Sequence, residues 1–105
     1  MTHMSQINEL AKKLDALGHP LRLRIVAVLA FAQKEMYLNE IANTLSISRA
    51  LAKIHLKKLE KAGIVRSHIV TAQSEAKALR YYELKKFDIH VSPLILRKEV
   101  ENNGQ

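Results

Sequence analysis

The sequence contains no cysteine and no tryptophan. Without a thiol there is no disulfide framework, no thiolate metal site and no cysteine nucleophile, and the composition suits a reducing compartment. Glycine is scarce as well, three residues in 105, and none belongs to a glycine-rich phosphate loop. Aspartate occurs only as Asp15 and Asp88, and the order of elements suggests no Ser-His-acid set, so we expect no enzyme and name no catalytic residue. Long apolar runs are also missing. The longest, from Ile25 to Ala32, falls far short of the roughly 18 residues that span a bilayer, and no cationic-then-apolar leader is visible. We therefore expect a cytoplasmic protein without a membrane partner.

What is present is an ordinary folded composition, 48% hydrophobic and 26% charged, with no repeat and no low-complexity segment. Its length suits a single domain over 1–105. The charge is uneven: 17 basic against 10 acidic residues, a formal +7. Such a field concentrates polyanions, of which nucleic acid is the commonest. A membrane surface would call for aromatic anchors on one long basic helix, and three Tyr and two Phe do not provide them.

Helical spacing of Ile7, Leu10, Ala11, Leu14 and Leu17 predicts a first helix over 5–17, with Gly18 as a left-handed stop. Pro20 suits the first turn of a second helix. Its segment "LRLRIVAVLAFA" is apolar on nearly every side after Arg24, which predicts a central helix touched all round, with Arg22 and Arg24 at the solvent end. Leu38, Ile41, Ala42 and Leu45 predict a short third helix. Ser46-Ile47-Ser48 breaks it, and Ser48 is a good N-cap for a fourth helix over 48–62, closed by Gly63.

Beyond Gly63 the period changes to two, which predicts strands over 64–70 and around Tyr82 and Leu84, joined through a polar tip. Phe87, Ile89 and Val91 then fall out of phase, predicting a bulge or bend near Lys85-Lys86 and a further extended piece ending at Ser92-Pro93. "LILRKEV" reads as a short helix or strand, and 98–105 as a frayed tail.

This order is mainly α with a small β hairpin: a winged helix-turn-helix, α-α-α-α-β-β, plus a C-terminal extension. On the fourth helix Ala52, Leu56 and Leu59 share the inward side, while Arg49, Ala50, Lys53, Ile54 and Lys57 share the outward one. Across 49–66 six basic residues (Arg49, Lys53, Lys57, Lys58, Lys61, Arg66) face Glu60 alone. A merely solvated face has little use for Ala50 and Ile54, whereas thymine methyls in a major groove offer them apolar contact. We therefore expect sequence-specific binding of double-stranded DNA, with Ser48, Arg49, Ala50, Lys53, Ile54 and Lys57 in the groove. Lys77 and Arg80 of the wing, 64–84, are expected on backbone or minor groove.

"LDALGHPLRLRIVAVL", "LNEIANTLSISRALAKIHLKKLEKAGIV" and "LRYYEL" together resemble the ArsR-like winged-helix transcriptional regulators, over roughly 14–84. The resemblance implies a homodimeric DNA-binding regulator, typically a repressor that releases DNA when an effector binds. The family's cysteine sensors do not carry over, because Tyr37 and Asn39 stand at the matching places. "DIH" at Asp88 to His90 echoes a second sensor pattern, but Glu101 and Gly104 stand where its His and Glu would be. On a strand Asp88 and His90 would share a face, either as a weak metal pair or as a solvent-facing pair beside a buried Ile89. We expect no cofactor and no metal.

Surplus apolar residues lie outside a minimal winged helix: Ile7, Leu10 and Leu14 on the first helix, and Phe87, Ile89, Val91, Leu94 and Ile95 within 87–100. They are expected to form a homodimer that meets a pseudo-palindromic site, its half-sites about one helical turn apart; otherwise they complete the monomer's core. His55 is open between a phosphate contact and packing beside Leu51, and one of Tyr81 and Tyr82, Tyr82 by preference, belongs in the core. The alternatives in function are a protein- or RNA-interaction module and a chromatin-like, non-specific DNA binder.

Overall fold

The computed structural model describes residues 4–71 and 78–102. Among the described residues five helices and three short strands run in the order α1 (Met4–Leu17), α2 (Pro20–Ala32), β1 (Met36–Tyr37), α3 (Leu38–Thr44), α4 (Arg49–Lys61), β2 (Val65–Thr71), β3 (Ala78–Leu84) and α5 (Pro93–Asn102). The sheet is antiparallel throughout, in the order β1-β3-β2. Ile25 of α2, Ile41 of α3, Leu56 and Leu59 of α4, and Ile64 and Val65 at the start of the hairpin are the large, fully buried side chains. The core is thus the space between three helices and the base of the wing, closed from the sheet side by Tyr82, which is only 2% exposed.

Helix ends are set by local chemistry. At the end of α3, Ser46 N–H donates to the Asn43 carbonyl and Ile47 N–H to that of Ala42, with Ser46 at φ +55°. The end of α4 repeats the motif: Gly63 N–H donates to Glu60, Ile64 N–H to Leu59, and Gly63 has φ +77°. In both, the left-handed residue lets two orphan carbonyls find donors and aims an apolar residue, Ile47 or Ile64, back at the core. Ser48 Oγ accepts from Leu51 N–H at 3.0 Å, so α4 starts at Arg49, four residues (45–48) separating it from the end of α3.

Several expectations are corrected here. Gly18 is not left-handed; a Cβ there would stand 3.1 Å from the Leu14 carbonyl oxygen, so the residue is small because the chain turns close against α1. The exposed carbonyls at that end are met by Arg22, whose Nη1 donates to Asp15 and Ala16. Arg22 is therefore a half-buried clamp between α1 and α2, not a solvent marker. The α2 helix is not enclosed: only Ile25 and Leu29 are buried, Leu23, Ala27 and Ala30 are exposed, and Phe31 is 92% exposed. On α1, Ala16 is the buried residue and Ala11 and Leu14 face outward.

β1 was not foreseen, because two residues carry no periodicity; pairing with β3, Met36 opposite Tyr82 and Tyr37 opposite Tyr81, defines it. No bulge follows β3. The strand ends at Leu84, and residues 85–92 run without regular structure, Phe87 packing against the core on the way. Neither is 98–102 a frayed tail: α5 reaches Asn102, started by Ser92 Oγ accepting from Ile95 N–H. Residues 103–105 lie outside the described residues.

Candidate nucleic-acid interface

The α4 helix has one face sealed and one open. Ala52, Leu56 and Leu59 are 0% exposed. Ser48, Arg49, Ala50, Lys53, Ile54 and Lys57 are all exposed, Ile54 at 58%. The tight turn before Ser48 sets the direction of this helix, whose sealed face packs on α1, α2 and α3, and Gly63 turns the chain at once into β2, so the hairpin rises beside the open face.

The hairpin brings Arg80 to it. The Arg80 side chain lines a shallow groove together with Lys53, Lys57, Glu60 and Tyr82, and a neighbouring one with Arg49, Lys53, Tyr37 and Asn39. Its Nη1 donates to Ser67 Oγ at 2.8 Å, and that hydroxyl donates to Glu60 Oε2, also at 2.8 Å. The one acidic residue of α4 is thus engaged by the wing instead of neutralising its own lysines. Arg66 behaves differently. It pairs with Glu83, its cross-strand neighbour, at 2.7 Å, so it leaves the group of available cations counted from the sequence. Among the described residues, Arg49, Lys53, Lys57, Lys58 and Lys61 make no ion pair. Lys77 lies outside the described residues.

His55 sits behind this face, buried, where its Nδ1 accepts from Arg22 Nε at 3.1 Å and its ring lies 4.6 Å from that of His19. Its neighbours are therefore Arg22 and His19, and the phosphate contact weighed from the sequence falls away. His19 in turn caps α2, accepting from Leu21 N–H at 3.1 Å. Burial, then the nearby His19 and Arg22, lower the His55 pKa below its ordinary 6.5. The sign follows: the unfolded chain binds this proton more readily, so the contribution is present above about pH 6.5 and is lost as pH falls through the depressed folded value. Urea unfolding at pH 7.5 and 5.5 should show the native chain losing more stability at the lower pH than His55→Gln, which keeps an acceptor for Arg22 but does not titrate.

Asp88 and His90 form an exposed pair at 3.0 Å in the irregular segment, not on a strand, and Ile89 beside them is half-buried. Where the family's cysteines would stand, Tyr37 precedes α3 with its ring 5.7 Å from Tyr81, and its N–H donates to the Glu40 carboxylate at 3.0 Å. Of the apolar residues assigned to an interface, Leu14, Val91 and Leu94 are exposed, while Ile7, Leu10, Phe87, Ile89 and Ile95 are half-buried. The structure adds Leu96 and Val100 to the exposed group. The sequence leaves 94–100 open between helix and strand, and the helix sets Leu96 and Val100 on one side, both exposed.

A short helix, a tight turn, a projecting basic helix and a wing define a winged helix-turn-helix DNA-binding protein. A family profile described as a helix-turn-helix domain matches residues 17–68. An uncharacterized HTH-type transcriptional regulator of Methanocaldococcus jannaschii is 36% identical over 94 residues, covering 90% of this chain and 95% of that one. Among solved structures, the homodimeric winged helix-turn-helix domain of a possible ArsR-family regulator from Mycobacterium bovis superposes with TM-score 0.64 at 20% identity, covering 94% and 79%. The transcriptional repressor BigR from Xylella fastidiosa superposes with TM-score 0.59 at 25% identity, covering 80% and 75%. The chain belongs to the HTH-type transcriptional regulators, which are DNA-binding proteins and not enzymes, and it shares the fold of the ArsR-type neighbour but contains no cysteine. No helix among the described residues is long and apolar enough to cross a membrane.

Proposed function

We propose that the protein is a homodimeric repressor that recognises a pseudo-palindromic duplex, with α4 in the major groove and the wing on backbone or minor groove. The observation that carries this reading is the convergence of Arg49, Lys53 and Lys57 with Arg80 of the wing on one open face, interleaved with exposed Ala50 and Ile54. Cations supply affinity to phosphate and to guanine edges, and the apolar pair supplies contact with thymine methyls. Dimerisation is supported by the exposed Leu14, Val91, Leu94, Leu96 and Val100 around α1 and α5, and by the homodimeric state of the M. bovis neighbour. The repressor sign is supported by the description of the X. fastidiosa neighbour.

Selection of bound genomic fragments, followed by footprinting and competition with random duplex, tests the reading. We expect a protected site with two half-sites about one turn apart, surviving competitor and weakening steeply with salt. Binding without preference over random duplex would instead indicate a chromatin-like coat. Failure to retain any duplex at low salt would indicate a module for another partner.

A further inference from the structure

Three side chains that DNA recognition leaves unused meet on the outer face of the sheet: Glu35, just before β1; His68, on β2; and Glu83, on β3. One ligand atom from each lies within 4.8 Å of the others. The register accounts for this. Ser67 pairs with the buried Tyr82, so His68 and Arg66 lie on the opposite face with Tyr81 and Glu83. Met36 also pairs with Tyr82, and one step back along the chain sets Glu35 beside Glu83.

Two carboxylates set side by side, one just before a strand and one on its antiparallel neighbour, repel each other, and a shared cation removes that cost. The donors at hand only half meet the need. His68 Nε2 is 3.3 Å from Glu35 Oε2, and Arg66 Nε is 2.7 Å from Glu83 Oε1. Among the described residues Glu83 Oε2 makes no hydrogen bond. The 3.3 Å separation is close to the edge of about 3.4 Å between adjacent ligands of a tetrahedral ion bound at about 2.1 Å. One imidazole nitrogen and two carboxylate oxygens suit a divalent ion of borderline softness and leave a position for water. The Tyr81 ring lies nearly parallel to that of His68, inclined by 18°, with the ring centres 6.1 Å apart.

We propose that Glu35, His68 and Glu83 form a binding site for a divalent transition-metal ion of the zinc class. The ion ties the segment before β1 to both strands of the wing, on the sheet face turned away from Tyr82, and it competes with Arg66 for Glu83. The site is distinct from the Asp88–His90 pair and uses no thiolate. Because the three residues come from separate segments with no motif spacing, only the sheet register assembles them.

The test is titration of the full chain with Co²⁺, followed by its ligand-field absorption, and with Zn²⁺ by calorimetry, folding of every variant being checked by circular dichroism. One ion per chain is expected. His68→Ala and Glu35→Gln should each weaken binding more than about tenfold, beyond the lower bound for loss of an outer-shell partner. Arg66→Ala should tighten it severalfold by freeing Glu83, and His90→Ala should leave it unchanged. Absence of stoichiometric binding, retention of affinity in His68→Ala, weaker binding in Arg66→Ala, or loss of the ion in His90→Ala would overturn the assignment.

Discussion

Replacing Lys53 and Lys57 together by alanine is expected to lower affinity for the selected duplex about 100-fold at moderate salt, equivalent to about 2.7 kcal/mol. The dimer would lose four cationic contacts. Each phosphate contact contributes about 0.9 to the slope of log affinity against log salt, so the slope itself should flatten by about 3 to 4. Folding should hardly change, because both side chains are exposed and make no ion pair among the described residues, and such substitutions stay within about 0.5 kcal/mol each. Electrophoretic or fluorescence titrations at several salt concentrations read both quantities. Unchanged affinity together with an unchanged slope would remove α4 from the groove. A reduced slope with intact preference for the site would leave it on the backbone alone.

Substituting Leu14 and Leu94 with glutamate should convert the protein to a monomer and cut affinity for a two-half-site duplex about 1000-fold. Both side chains are largely exposed in the single chain, Leu14 at 41% and Leu94 at 57%, so a carboxylate there stays in water when the chain is alone. In an apolar interface the same carboxylate would be buried without a partner, at a cost of several kcal/mol. The loss on DNA follows from linkage. Two joined recognition helices gain about 10² to 10⁴ over one, and that gain disappears when the protomers separate. Phe87 is the poorer choice for this experiment because it packs against the chain's own core, where a charge would unfold the protomer. Sedimentation of the double variant decides the matter: a species that remains a dimer places the interface elsewhere, for which the exposed Leu23 and Phe31 of α2 are the next surface to alter.

Much of α4 was legible because helical periodicity, N-cap chemistry and a glycine stop are local properties. Ser48 caps, Gly63 is left-handed, and Ala52, Leu56 and Leu59 are buried where their spacing puts them. The same periodicity failed on α2. An apolar helix carries no sign of which side finds a neighbour, so Phe31 was expected in a crowded interior and stands in the open. Alternation of residues likewise suggested an extended piece through Asp88 to Val91, but among the described residues no partner strand lies beside it to supply the hydrogen bonds that make a strand.

The sequence by itself determined the basic face, the turn that precedes it, the order of the main elements and the exclusion of thiolate chemistry, since each depends on neighbours within a few residues. Tertiary structure alone decided which cations remain available, as Arg66 is taken by Glu83 while Arg80 joins Lys53 and Lys57 across strands. It also decided that His55 answers to Arg22, that Glu60 is held by Ser67, and that Glu35, His68 and Glu83 share a face. Those relations arise from sheet register and helix packing, which bring together residues the chain keeps far apart.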